Sequence, residues 1–360
     1  MRTLFYYSKP GWTGSARAFG IAARGLVARG EPVTVVCRAD SPAEQSFLSH
    51  ELDVVSLPMS GAVAQDAWRL RQILRDKFIE VAFVHTEREQ LIASSALRLA
   101  ERGAVIRRVP VGCGLSSGRA SKLAGRMAAT RMLFSTEEDR KRANAGERGF
   151  VAPLGVSVSG DARAASRATL GVDDETQLIV CVADATSKVR VTTALRTLAL
   201  LAERHPDLRL ALVGQGLDEE DMRMHAAALG VTTLVRYLGE RDDLSFVAAS
   251  ADVGWVAADG DDGGFACLDF MAAKVPVIAE RSPLLSHFVP DGIAGVLLPR
   301  ADPSDTASAV ASFLADSNQR EAMGRAGRTR AARDFAEQAM IDGFANAASA
   351  AGDRALWTAR

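Results

Sequence analysis

Apolar positions along the chain fall into short, β-rich runs separated by longer stretches with helical spacing. In the first half these predict strands at 3–7, 32–37, 53–57, 81–85, 105–109 and 131–134, and helices at 15–29, 65–77 and 89–102. In the last of these, Ile92, Ala96 and Leu99 recur at spacings of four and three, as one helix face does. The second half restarts the pattern. Strands are predicted at 177–182, 209–213, 235–238, 253–256, 275–279 and 295–298, and helices at 191–204, 219–229, 265–273, 283–289 and 303–315. Two helix starts are marked by Ser282-Pro283 and Asp302-Pro303, each a capping side chain before a proline at the first helical position.

Such alternation predicts a parallel sheet with helices on both faces, and two runs of it predict two α/β domains. The first is expected over 1–157 and the second over 158–334, joined in a Ser/Gly/Ala-rich stretch without periodicity at 158–167. An Ala-rich helical segment within 335–360 is a candidate to return to the first domain. Ligands of such sheets bind beyond the carboxyl ends of the strands, so a cleft faced by both domains is the expected site.

Composition adds limits. The 360 residues are 48% apolar, which suits globular cores, and a net charge of −1 argues against nucleic acid as a partner. Cys37, Cys113, Cys181 and Cys267 are scattered, with no metal-ligand spacing. They read as reduced, mostly buried thiols of a cytoplasmic protein, burial being the expectation for Cys113 too. The N-terminus reaches Pro10 and Gly11 too soon for a signal-peptide core. No run approaches the ~18–20 apolar residues of a membrane span.

The densest candidate chemistry lies at 261–273. Asp261 and Asp269 stand eight positions apart, separated by Gly263-Gly264, a pair expected to open a helix. Backbone N–H groups at a helix N-terminus attract phosphate, and glycines let a ligand come close. A carboxylate inside the helix can accept hydrogen bonds from sugar hydroxyls. The arrangement suits a nucleotide-sugar better than a bare phosphate.

Residues 181–335 resemble the second domain of GT-B fold glycosyltransferases like those of family 4 (glycosyl transferases group 1). The pieces come in that family's order: Val213-Gly214-Gln215-Gly216, then Val235-Arg236-Tyr237-Leu238-Gly239, the strand leading to its base-binding loop. Next come Asp269-Phe270-Met271-Ala272-Ala273-Lys274-Val275-Pro276, resembling Glu-Ala-Met-Ala-x-Gly-x-Pro, and Pro290–Gly295, resembling Asp-Gly-x-x-Gly. Met323-Gly324-Arg325-Ala326-Gly327-Arg328 and Phe335 match its closing helix. More loosely, Gly11–Ser15, with Gly14, looks like the glycine loop of the first domain.

The resemblance implies two Rossmann-like doubly wound domains facing a cleft, and a retaining transfer from a nucleoside-diphosphate-sugar without cofactor or metal. It also implies roles. The family's Glu at position 269 binds the ribose hydroxyls and its Glu at 261 contacts the donor sugar; both are Asp here, with Asp262 adjacent. The amides of Gly263, Gly264 and Phe265 are candidates to cradle the diphosphate. Of the family's phosphate-binding Arg and Lys, Asp184 replaces the first, and Lys188 and Arg190 are the candidates for the second. No His occupies the usual catalytic position in 109–114, which leaves His85, at a strand end, as the candidate base.

Three readings stay open: an active transferase with an unknown saccharide, lipid or small-molecule acceptor; an altered GT-B protein that binds nucleotide-sugar or assists a partner transferase; and a dehydrogenase using Gly11-Trp12-Thr13-Gly14-Ser15, which lacks the GxGxxG spacing. Arg119, Lys122 and Arg126 share a helix face. That face is either solvated or, as in the resembled family, a contact for acceptor or for the inner face of a membrane.

Overall fold

Continuous apolar runs become the strands of two parallel sheets. The computed structural model describes the chain apart from residues 115–117, 159, 185–187, 218–219, 301 and 356–360, with the side chains of 353–355 also outside the description. The chain divides into two compact units, Met1–Leu154 with Glu337–Arg360, and Gly155–Ala336.

In the first unit the strands are β1 (Thr3–Tyr7), β2 (Val33–Arg38), β3 (Val54–Leu57), β4 (Val81–Val84), β5 (Ala104–Val109), β6 (Thr130–Phe134) and β7 (Gly149–Val151). Between them run α1 (Gly14–Ala28), α2 (Pro42–Ser49), α3 (Val63–Asp76), α4 (Glu87–Ala100), α5 (Arg119–Met127) and α6 (Glu137–Arg142). The sheet order is β3-β2-β1-β4-β5-β6-β7, and each neighbouring pair is parallel. Every residue of β1 is buried, as a strand covered on both faces requires. Its central Phe5 registers with Val35 on one side and Phe83 on the other.

The second unit repeats the plan with β8 (Gln177–Ala183), β9 (Leu208–Val213), β10 (Val235–Gly239), β11 (Val253–Ala257), β12 (Val277–Glu280) and β13 (Gly295–Leu298). Its helices are α7 (Arg163–Leu170), α8 (Lys188–Ala202), α9 (Glu220–Ala228), α10 (Leu244–Ala249), α11 (Gly260–Ala272), α12 (Pro283–Phe288), α13 (Pro303–Ala315) and α14 (Ser317–Asp334). The order β10-β9-β8-β11-β12-β13 is again all parallel. Each sheet reverses its winding at one point, between β1 and β4 and between β8 and β11. Both units are therefore doubly wound, Rossmann-like domains.

The two proline-marked starts form as expected: Ser282 accepts from the Leu285 N–H and Asp302 from the Ser304 N–H. Elsewhere the structure departs from the sequence pattern. The stretch read as a joint carries α7, because Arg167 is buried and holds it down, donating to the Ser250 carbonyl at 2.9 Å beside Asp252. Helix α11 begins at Gly260 rather than at 265. The first residue expected in α9, Glu219, lies outside the described residues.

After the second unit the chain returns to the first as α15 (Glu337–Ala355). Its Phe344 ring lies 6.0, 6.4 and 5.1 Å from those of Phe5, Phe19 and Phe83. The helix crosses α1 where Gly25 has no side chain; a Cβ there would lie 2.5 Å from Ile341.

Two stability changes follow from this packing. Phe344→Ala should cost the first unit about 3–5 kcal/mol, because it empties the centre of a buried aromatic group, and amide exchange of β1 and β4 should accelerate accordingly. At the end of α11, Lys274 holds φ +63°, where the resembled pattern has Gly. Relief of a left-handed non-glycine residue should let Lys274→Gly stabilise the second unit by about 1 kcal/mol, read from urea unfolding followed at Trp255.

Candidate functional site

Helix α11 is apolar nearly all round, with Phe265, Leu268, Phe270 and Met271 buried, so it must sit inside the unit rather than on it. It packs on β11 through two glycines. A Cβ on Gly254 would meet the Phe270 ring at 2.4 Å, and one on Gly263 would meet the Ala258 carbonyl at 2.3 Å. Within this apolar helix Asp261 is 3% and Asp269 1% exposed. Eight residues of helix separate them by about 12 Å along the axis.

The glycine pair takes a different part from the one expected. Both glycines lie inside the helix, not at its tip, and the Gly263 N–H already donates to the Asp259 carbonyl at 3.1 Å. Helix geometry gives the first-turn amides, here those of residues 260–262, no acceptor within the helix itself. Gly260 turns the chain into the helix at φ +58°. Gly263 serves close packing, and Phe265 is buried at 1% exposure.

Beside this turn the second unit gathers charge. Asp184 follows β8, and its Oδ2 accepts the Asp259 N–H at 3.3 Å. The Arg190 guanidinium, in the first turn of α8, pairs with the Asp259 carboxylate. Partial burial works against the charge on Arg190, but the carboxylates of Asp259, Asp184 and Glu280 outweigh it and hold its pKa above the ordinary value. Lys188 instead points to Asp221 of α9, at 3.3 Å, and both are well exposed. Residues 185–187, in the expected phosphate-binding stretch, lie outside the described residues. Gly239, at φ +68°, accepts the Gly214 N–H at 2.9 Å. Gly214 in turn comes so close to the end of β8 that a Cβ would lie 1.9 Å from the Ala183 carbonyl. The second unit thus brings Asp184, Arg190, Asp259 and the start of α11 together, with the Gly214–Gly239 contact at the ends of β9 and β10.

The other two candidates belong to the first unit. Gly14 starts α1, and the loop before it is tied to β1 by the Tyr7 hydroxyl, which donates to the Gly11 carbonyl at 2.8 Å and lies 3.0 Å from Thr13 Oγ1. His85 ends β4 as expected but is no exposed base. Its ring stacks on Tyr7 at 5.0 Å and meets the edge of Phe19. Its Nδ1 lies 2.6 Å from Glu89 Oε2, and its Nε2 is buried with no hydrogen-bond partner among the described residues. The ring is therefore enclosed, rather than open at the strand end as the reading of His85 as a base expects. Cys113 is likewise corrected: it is exposed, because it follows the turn at Gly112 (φ +72°) rather than entering the core.

Sequence reasoning missed Glu89 and Asp259. Glu89 is fully buried and accepts from the Ser8 N–H and hydroxyl, each at 2.7 Å, and from the His85 and Thr86 N–H groups. Its signal was legible as the capping box Thr86-x-x-Glu89. Asp259 had no local signal, since its partner is 69 positions away. Among the described residues no group of three His, Cys, Asp or Glu side chains is placed to hold a metal ion, and no helix is long and apolar enough to cross a membrane.

With this geometry in place, comparison with known proteins is informative. The whole chain has the GT-B glycosyltransferase fold. It superposes on HepE of Anabaena in complex with UDP-glucose with a TM-score of 0.78 at 18% identity, covering 97% of this chain and 100% of that one. It superposes on WaaG, a glycosyltransferase involved in lipopolysaccharide biosynthesis, with a TM-score of 0.70 at 17% identity, covering 98% and 99%. Residues 162–330, most of the second unit, match the family model described as Glycosyl transferases group 1. D-inositol 3-phosphate glycosyltransferase of Corynebacterium jeikeium (strain K411) is 33% identical over 186 residues, 49% of this chain and 44% of that protein. The GDP-mannose-dependent alpha-(1-6)-phosphatidylinositol monomannoside mannosyltransferase of Mycolicibacterium smegmatis is 32% identical over 177 residues, 47% and 46%. In these matches the chain spans less than half the length of the relatives.

The Glu89 centre has a pH signature. Burial pushes its carboxyl up, but His85 and the gathered hydrogen bonds overcome this and bring it down to about 2, from 4.5. A depressed carboxyl contributes stability that is complete above the unfolded value and is lost as pH falls through the folded one. The first unit should therefore lose stability between about pH 4.5 and 2, and Glu89→Gln should lose less over the same range. Amide exchange in β1 and β4 measured at pH 5 and pH 3 checks this, and equal losses in the two proteins would contradict it.

Proposed function

We propose that the protein is a retaining glycosyltransferase that binds a nucleoside-diphosphate-sugar in its second unit and passes the sugar to an acceptor hydroxyl. The observation that carries this reading is α11: two buried carboxylates about 12 Å apart on one helix, inside the segment matched by Glycosyl transferases group 1. Asp269 would accept hydrogen bonds from the ribose hydroxyls and Asp261 from those of the sugar. The first-turn amides of α11 and the Arg190 guanidinium would face the diphosphate. In the transfer, the bond from the sugar's anomeric carbon to the phosphate oxygen breaks and a bond to the acceptor oxygen forms. The acceptor proton goes to the leaving diphosphate, so the buried His85 is not needed.

UDP-glucose is the first donor to try, since it is the ligand in the HepE complex, and GDP-mannose the second, given the mannosyltransferase relative. A polyol phosphate or a saccharide is the first acceptor class, after the relatives' names. Transfer is proposed to need no metal and to take place in the cytoplasm. Exposed Arg119, Lys122, Leu123 and Arg126 on α5 offer a face for the acceptor or for an anionic membrane. Two observations favour the altered, binding-only reading: Asp184 stands near Arg190 where the resembled family has an arginine, and Lys188 is engaged by Asp221.

Calorimetry with UDP, GDP and their sugars, followed by donor hydrolysis with and without EDTA, separates these readings. Turnover unaffected by EDTA supports the transferase, whereas binding without turnover supports the altered protein. Asp269→Asn should weaken nucleotide binding about 10–100-fold, the worth of a charged hydrogen bond, with the fold kept. Alanine is the poorer probe, because truncating so buried a carboxylate also unsettles the core. Unchanged affinity in Asp269→Asn would remove the site assignment.

A further inference from the structure

We infer that Asp259 is a specificity-determining residue that occupies Arg190 in place of a phosphate, so that a nucleoside diphosphate must displace its carboxylate to bind. This rests on the nucleotide-sugar reading above.

Three observations carry it. First, the guanidinium of Arg190 pairs with the Asp259 carboxylate, the charges of Asp184 and Glu280 also act on it, and its side chain is only 24% exposed. Second, Asp259 is the N-cap residue of α11, with extended backbone (φ −109°, ψ 178°), and its residue type is among the best N-caps. Yet its side chain caps nothing: it accepts no hydrogen bond from the helix and turns to Arg190 instead. The anion that a helix start would attract is thus held by the neighbouring cation. Third, the Asp259 backbone is fixed by its N–H donation to Asp184, while its side chain is 62% exposed. The carboxylate can leave without moving the helix, and it needs no new partner once in water. A phosphate offers three acceptor oxygens and more charge than a carboxylate, so it is the stronger partner for a guanidinium.

Because the exchange sets one anion against another, its strength must follow ligand charge. Removing the Asp259 charge should favour a diphosphate more than a monophosphate and leave an uncharged nucleoside unaffected. The gain should also depend on Arg190, since the proposal concerns competition for that side chain.

Calorimetric titration of the full chain tests this with UDP, UMP and uridine, with GDP in parallel, on wild type, D259N, R190Q and the double variant. D259N should bind UDP about three- to tenfold tighter, UMP by a smaller factor and uridine no differently, and R190Q should erase most of the gain. No gain in D259N, an equal gain for uridine, or a full gain that persists beside R190Q would overturn the proposal while leaving nucleotide binding intact. If neither UDP nor GDP binds wild type or D259N, both shown folded by thermal unfolding, the nucleotide-sugar reading itself fails and this inference with it.

Discussion

Helix α11 can lie where it does only because no Cβ separates it from the strand beneath. Gly263 meets the carbonyl of Ala258, and Gly254 makes room for the ring of Phe270. The same device recurs on its other side, where Gly324 of α14 lies against the Lys274 carbonyl, with a Cβ position 2.0 Å from it, and Gly327 lies against Met271. Arg328 then donates to the Ala272 carbonyl and closes the helix end. Fixed from two sides, α11 holds the carboxylates of Asp261 and Asp269 in the interior, at 3% and 1% exposure.

The two sheets share a winding plan but treat their switch points differently. In the first unit the end of β4 is sealed by aromatic rings and by a carboxylate that collects the amides of Ser8, His85 and Thr86. In the second unit the corresponding end carries charged side chains that remain partly in water: Asp259, Arg190 and, farther along, Lys188 with Asp221. Exposed ion pairs such as these are weak and exchangeable, whereas buried ones are not.

Much of the fold was legible because strands covered on both faces spell themselves as unbroken apolar runs; β1, β8 and β11 are clear cases. Helices with few apolar residues were not legible: α6 is charged at every position and α7 depends on a buried arginine. At the site, the carboxylate spacing on α11 could be read, but the purpose of Gly263 could not, since its neighbour is a carbonyl that only the folded chain brings near. Nor does a sequence reveal that His85 is enclosed, or that Arg190 is already paired with a residue 69 positions away. Local pattern recorded the elements, while steric closeness and charge pairing arise from contacts made across the fold.

The place of Phe344 has a consequence for synthesis. The aromatic cluster around Phe5 and Phe83 is completed by a helix made after the whole second unit, residues 155–336. At about 5–20 residues per second, the ribosome spends roughly 10–40 s on that stretch. During this interval the nascent first sheet waits with a greasy face uncovered, so the second unit can finish folding before the first. A chaperone that shields that face on the ribosome would be guarding a vacancy reserved for α15.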